Sequence, residues 1–190
     1  RCMTIDVFTH FAPAAYAAYL ERLPAGRAAV PRWRRIATLV DLDARLELMD
    51  RFDDYAQILS LPNPPIEALG APGESAEIAR VANDALADLC SRHRDRFPSF
   101  VANLPMNDPD AAVEEAERAV TELGAAGCLV YTNVLGAPLS EPRFRPIFEQ
   151  AAQLDRPIWL HPIRGPEHAD YGTEARSEHE IWFTFGWPYE

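Results

Sequence analysis

The chain of 190 residues is long enough for one domain with a buried core. Hydrophobic residues make up 48% and charged residues 25%, an ordinary mixture for a globular domain. The formal charge of −11 argues against nucleic acid or an anionic membrane as partner, since both select basic surfaces. No apolar run approaches the ~20 residues that cross a bilayer.

The start, Arg1-Cys2-Met3, carries no apolar segment of the signal-peptide kind. Cys2, Cys90 and Cys128 are odd in number, widely spaced and without a CxxC pair. They predict reduced thiols in a cytoplasmic protein rather than a disulfide frame or a cysteine metal site.

The first strand is predicted over residues 4–8, and Pro13 to Leu23 reads as a helix begun by a proline. Gly26 to Trp33 reads as a basic, proline-containing loop, and Arg34 to Val40 as a short strand or an excursion. Asp41 caps a helix to Phe52, in which Leu42, Leu46 and Met49 keep helical spacing. A second strand, Tyr55 to Leu61, stops at Pro62-Asn63-Pro64-Pro65, and a Pro/Gly-rich loop follows to Gly73. Ser75 to Phe97 is a long amphipathic helix with Ile78, Val81, Leu86 and Leu89 inward.

Phe100 to Leu104 is a third strand, and the next helix opens at Asp108-Pro109 and closes at Gly124. Cys128 to Tyr131 is a fourth strand, Glu141 to Leu154 a helix, and Arg156 to His161 a fifth strand. Strands alternating with helices of three turns or more imply a parallel sheet with right-handed crossovers. The expected fold is α/β, a (β/α)8 barrel of TIM type in a single domain over residues 1–190. The rival is an open doubly wound sheet. Its dinucleotide form needs GxGxxG after the first strand, where this chain has Phe8-Thr9-His10-Phe11-Ala12-Pro13, so no nucleotide cofactor is expected. A complete barrel has eight units in ~250 residues. About five are legible here, so the C-terminal strands are expected to be missing or to lie past Glu190.

Two strands end in a histidine followed closely by proline: Ile5-Asp6-Val7-Phe8-Thr9-His10 and Pro157-Ile158-Trp159-Leu160-His161-Pro162. Each histidine alone reads more simply as a satisfied polar residue. As a pair, at strand exits on opposite sides of a curled sheet, they face one another where α/β folds collect their chemistry. Neutral imidazoles so placed suit Zn²⁺ or a similar divalent ion. Under the two-residue period of a strand, Asp6 and Phe8 share the face of His10, and a phenylalanine cannot ligate.

The opening Ile5 to Pro13, Leu135-Gly136-Ala137-Pro138-Leu139, Trp159-Leu160-His161-Pro162 and Gly186-Trp187-Pro188-Tyr189-Glu190 together resemble the amidohydrolase superfamily. Within it they are most similar to the branch of aminocarboxymuconate-semialdehyde decarboxylase and γ-resorcylate decarboxylase. The resemblance implies that His10 and His161 are metal ligands, for Zn²⁺ first and Mn²⁺ or Mg²⁺ as alternatives. In that family the first strand carries His-x-His or Glu-x-His, so Phe8 stands where a further ligand would be. A site with fewer ligands, weaker binding or no metal is therefore implied. The family's aspartate ligand and further active-site histidine would lie beyond Glu190.

The activity implied is non-oxidative decarboxylation of a small aromatic or unsaturated carboxylic acid. Metal-dependent hydrolysis of an ester, lactone, amide or C–C bond stays open, as does a non-catalytic protein. His161 and Arg164 are the candidate catalytic residues, and Arg164 is placed to pair a substrate carboxylate or a surface ion. Phe8, Asn63 and Asn133 are candidate substrate contacts; for the two asparagines the plainer role is turn formation. His168 and His179 are expected to be solvated, and His93 to favour a helix end. Trp182, Phe183, Phe185 and Trp187 form an aromatic patch that, with open sheet edges, predicts a homo-oligomer.

Overall fold

The computed structural model describes residues 3–165, 167–179, 181 and 185–186. Cys2 and, of the aromatic patch, Trp182, Phe183 and Trp187 lie outside them; Phe185 lies within and is 75% exposed. In chain order the elements are β1 (Thr4–His10), α1 (Ala14–Leu20), α2 (Gly26–Trp33), α3 (Ala37–Val40), α4 (Leu42–Met49) and β2 (Tyr55–Ser60). After a 3-10 turn at Ile66–Ala68 come α5 (Pro72–Arg92), β3 (Ser99–Asn103), α6 (Pro109–Thr121) and β4 (Gly127–Tyr131). A small hairpin, β5 (Asn133–Val134) and β6 (Ala137–Pro138), precedes α7 (Arg145–Gln153) and β7 (Ile158–His161).

The main sheet has five strands in the order β1-β2-β3-β4-β7, every neighbouring pair parallel. Spatial order therefore follows chain order. A doubly wound sheet would reverse that order at a switch point, and this one does not. The sheet is curled, five βα units of a (β/α)8 architecture. Its convex side packs under the helices through Leu59, Phe100, Ala102 and Cys128, against Ile78, Leu86 and Ile147 among others. Ile58, Val101, Leu129 and Tyr131 form a separate cluster on the concave side, with Trp159 and Ile163 against it. Trp159 also donates its indole N–H to the carbonyl of Val7 at 2.7 Å, joining the two outermost strands across the hollow.

Local chemistry sets the element ends. Asp41 caps α4 by accepting from the amides of Asp43 and Ala44 at 3.0 and 3.2 Å. Asp108 does the same for Ala111 at 3.2 Å, ahead of Pro109. Gly124 takes φ +78° after α6, a conformation that favours glycine. Gly127 is required for a different reason: a Cβ there would stand 2.2 Å from the carbonyl oxygen of Pro157.

Four expectations are corrected or narrowed. Residues 26–33 are a helix, not a loop: Gly26, Ala29, Val30 and Trp33 are buried at helical spacing, and this packing outweighs the internal Pro31. Of the two alternatives for residues 34–40 the strand is ruled out and the excursion stands, with the single turn α3 as its ordered part. Asp6 does not share the face of His10. The β1–β2 register slips between Asp6 and Thr9, a bulge that reverses the alternation. Asp6 accepts from the hydroxyl of Tyr55 at 2.8 Å, in a network that runs to α4, while Phe8 and His10 turn to the concave side. The long helix is also displaced, beginning at Pro72 and ending at Arg92 instead of Phe97.

Candidate functional site

β1 and β7 both end on a histidine, and the curl brings the two rings together. The imidazole centroids of His10 and His161 stand 5.3 Å apart. Phe8 lies 5.5 Å from each, edge-on to His10 and stacked on His161. The Tyr131 ring, from the exit of β4, packs 4.7 Å from His161.

Hydrogen bonds fix how each imidazole carries its proton. Ser60 Oγ donates to the carbonyl of Thr9 at 2.8 Å, so the 2.8 Å contact between His10 Nδ1 and Ser60 Oγ has the imidazole N–H as donor. The His161 Nδ1 partner is the carbonyl of Pro162 at 2.7 Å, which only accepts. In both rings Nε2 is then the nitrogen with the lone pair. Burial, and next the neighbouring His161, hold the His10 pKa down to about 4; burial also lowers that of His161. Two neutral imidazoles with oriented N–H groups are what a divalent metal asks of its donors. Phe8 adds no donor, and among the described residues no cluster of three His, Cys, Asp or Glu side chains is placed for a metal.

The other candidates are placed as follows. Arg164 borders a cavity of about 330 Å³ with His168, Asp170, Ile181 and Phe185. Asn63 precedes a cis peptide bond to Pro64; its backbone carbonyl accepts from the Trp33 indole at 2.9 Å, and its buried Oδ1 has no partner among the described residues. Asn133 bonds the amide of Gly136 at 2.8 Å and the carbonyl of Ile163 at 2.9 Å, the work of a turn residue. His168 and His179 are exposed.

Four residues of this region were not singled out by the sequence: Ser60, Tyr131, Arg45 and Glu67. Ser60 and Tyr131 are polar groups at the ends of apolar strand runs, the signal already used for the histidines. Arg45 occupies the buried face of α4, and Glu67 is 3% exposed on the turn after β2. Burial pushes the Glu67 carboxyl up to about 7, and its Oε1 has no partner among the described residues. Glu67 in turn is a secondary cause, after burial, of the raised pKa of the Tyr131 hydroxyl. Cys90 and Cys128 are buried free thiols, each pushed up to about 12 by desolvation, and so are unreactive.

A curled parallel sheet that gathers histidines at its C-terminal rim is part of a (β/α) barrel with its candidate chemistry at the strand ends, where such barrels carry their active sites. The family model described as Amidohydrolase matches residues 5–184, and the chain belongs to that family. It is 42% identical over 144 residues to the γ-resorcylate decarboxylase of Rhodococcus jostii (strain RHA1), covering 70% of this chain and 43% of that enzyme. The solved 2,6-dihydroxybenzoate decarboxylase in complex with 2,6-dihydroxybenzoate is 31% identical, with a TM-score of 0.72 over 98% of this chain and 55% of that one. The dihydroxybenzoic acid decarboxylase of Polaromonas sp. JS666, with bound manganese and the inhibitor 2-nitroresorcinol, is 28% identical with a TM-score of 0.70, over the same 98% and 55%. The chain thus spans about half the length of the relatives it matches. No helix among the described residues is long and apolar enough to cross a membrane.

Proposed function

We propose that this chain carries part of the active site of a divalent-metal-dependent, non-oxidative decarboxylase of a small aromatic carboxylic acid. The observation that carries the reading is the meeting of His10 and His161, 5.3 Å apart at the rim of a curled parallel sheet. The γ-resorcylate and dihydroxybenzoate decarboxylases among the relatives support the substrate class.

His10 and His161 would hold the ion, each through Nε2. Such an ion supplies a Lewis acid and an anchor for a carboxylate and an adjacent oxygen. Two imidazoles suit Zn²⁺, and the manganese in related structures favours Mn²⁺. Ser60 and the Pro162 carbonyl hold the two Nδ1–H groups, which would leave Nε2 of each ring to face a bound ion. Phe8 is 45% exposed and offers an apolar face for a substrate ring beside the imidazoles. Arg164 is the residue proposed to pair the substrate carboxylate, with Asn63 and Asn133 bordering the mouth. Exposed Ile5, Val7 and Leu160 on the outermost strands support association with a second copy.

The test is incubation of purified protein with Mn²⁺ or Zn²⁺ and a panel of hydroxybenzoates, with 2,6-dihydroxybenzoate included. The expected result is CO₂ release matching substrate loss, abolished by His10→Ala or His161→Ala. Hydrolysis of a lactone panel without CO₂ release would overturn it in favour of a hydrolase. Less than ~0.1 metal per chain after metal-supplemented preparation would overturn it in favour of a non-catalytic role.

A further inference from the structure

Arg45 stands in the middle of α4 and is 8% exposed. Its guanidinium ties three separate segments together. Nε–H donates to the carbonyl of Thr38 at 2.7 Å, Nη1–H to Gln57 Oε1 at 3.0 Å, and Nη2–H to the carbonyl of His10 by a short bond. Among the described residues no carboxylate lies within ion-pair distance of it. Burying a guanidinium without a direct ion pair is costly, and the more distant Asp6 charge and the Phe11 ring 5.6 Å away offset only part of that cost, which a leucine or methionine packed against the sheet would not incur. What a guanidinium adds is direction, because its N–H groups project from one rigid plane.

The directions converge on the slip in β1. Gln57 also donates from Nε2 to the Tyr55 hydroxyl at 3.0 Å, and that hydroxyl donates to Asp6 at 2.8 Å. Asp6 lies on one side of the bulge and His10 on the other, and one chain of hydrogen bonds through Arg45 holds both. Val7 and Phe8, the slipped residues, are bracketed between them. A bulge is a soft point in a strand, since its extra residue lacks a ladder partner. A shift of one residue there would turn His10 away from His161.

We propose that Arg45 is a positioning residue: through the His10 carbonyl, and through Gln57 and Tyr55 to Asp6, it locks the β1 bulge that aims Phe8 and His10 beside His161. Its consequence for metal binding rests on the reading of His10 as a ligand; the geometric part stands apart from it.

Arg45→Met removes all three bonds, and Gln57→Leu cuts only the link to Asp6, should the first variant fold poorly. Ile147→Ala, in the helical packing away from the site, is the control for lost stability. Imidazole ¹⁵N and ring-proton resonances of His10 are recorded on metal-free protein, then Mn²⁺ is titrated by electron paramagnetic resonance. The expected result is that Arg45→Met and Gln57→Leu both shift the His10 resonances, and that Arg45→Met weakens Mn²⁺ binding tenfold or more. Ile147→Ala changes neither, although its melting temperature falls. His10 resonances that stay at wild-type positions in both site variants would overturn the proposal. Wild-type protein that binds no Mn²⁺ would overturn the metal reading alone, because the resonances still report the lock.

Discussion

His10 gives its Nδ1 proton to Ser60 Oγ across 2.8 Å, and the same hydroxyl spends its own proton on the Thr9 carbonyl. A residue on β2 thereby selects the tautomer of a residue on β1. Ser60→Ala removes the acceptor without enlarging a side chain. Outer partners of this kind contribute about 10- to 100-fold to metal affinity. The expected outcome is weaker Mn²⁺ or Zn²⁺ binding of that order by isothermal titration, with the far-ultraviolet circular dichroism unchanged. Undiminished affinity would show that the hydroxyl does not orient the ring.

Phe8 occupies the strand position two before His10 and touches both imidazoles. Phe8→His puts a donor where the ring now stands. Metal affinity is expected to rise by roughly 100-fold, each factor of ten being about 1.4 kcal/mol. Competition against a chromophoric chelator measures it. No gain in affinity would mean that position 8 does not reach the ion.

Glu67 and His10 titrate with opposite consequences for stability. The Glu67 carboxyl, raised by burial from 4.5 to about 7, keeps a proton that the unfolded chain releases. Its contribution is complete below pH 4.5 and is lost as pH rises through 7. His10, lowered from 6.5 to about 4 by burial and by His161, refuses a proton that the unfolded chain accepts. That contribution is present above pH 6.5 and is lost as pH falls through 4. The two trends offset one another in the wild type. Glu67→Gln removes the first and should leave stability climbing between pH 4.5 and 7.5, by about 3 kcal/mol more than in the wild type. Urea denaturation across that range decides it; parallel pH curves for the two proteins would contradict the assignment.

Asn83 is fully buried and joins α5 to β3 and α6. Its Oδ1 accepts from the Asn103 amide at 2.9 Å, and its Nδ2 donates to the Asn103 carbonyl at 3.0 Å and to Glu115 at 2.7 Å. Asn83→Ala strands these groups away from water, at a cost of about 3 kcal/mol. A fall in melting temperature of roughly 10 °C is expected by scanning calorimetry. A fall of a degree or two would mean that water enters and takes over the bonds.

The two histidine-bearing strands were legible because a short apolar run cut off by proline has few other foldings. Helix caps at Asp41 and Asp108 were legible for a similar reason, as their hydrogen bonds reach only two or three residues. α2 was misread because Pro31 and the surrounding arginines speak locally for a loop. The deciding contacts are distant: Trp33 stacks 6.0 Å from Tyr16 and bonds the Asn63 carbonyl. The slip in β1 was invisible for a deeper reason, since register belongs to a pair of strands and period-two counting sees one. Arg45 and Glu67 were overlooked because charged residues are presumed solvated, although Arg45 interrupts an apolar stripe between Leu42 and Met49.

The indole of Trp159 spans from β7 to Val7 on β1. Among the described residues β1 and β7 are thus tied by a side chain, whereas neighbouring strands of the main sheet are joined by backbone ladders. A shorter residue at position 159 would cut that tie and thin the packing on Ile58, Val101, Leu129 and Tyr131, so a single indole couples the strand that bears His10 to the strand that bears His161.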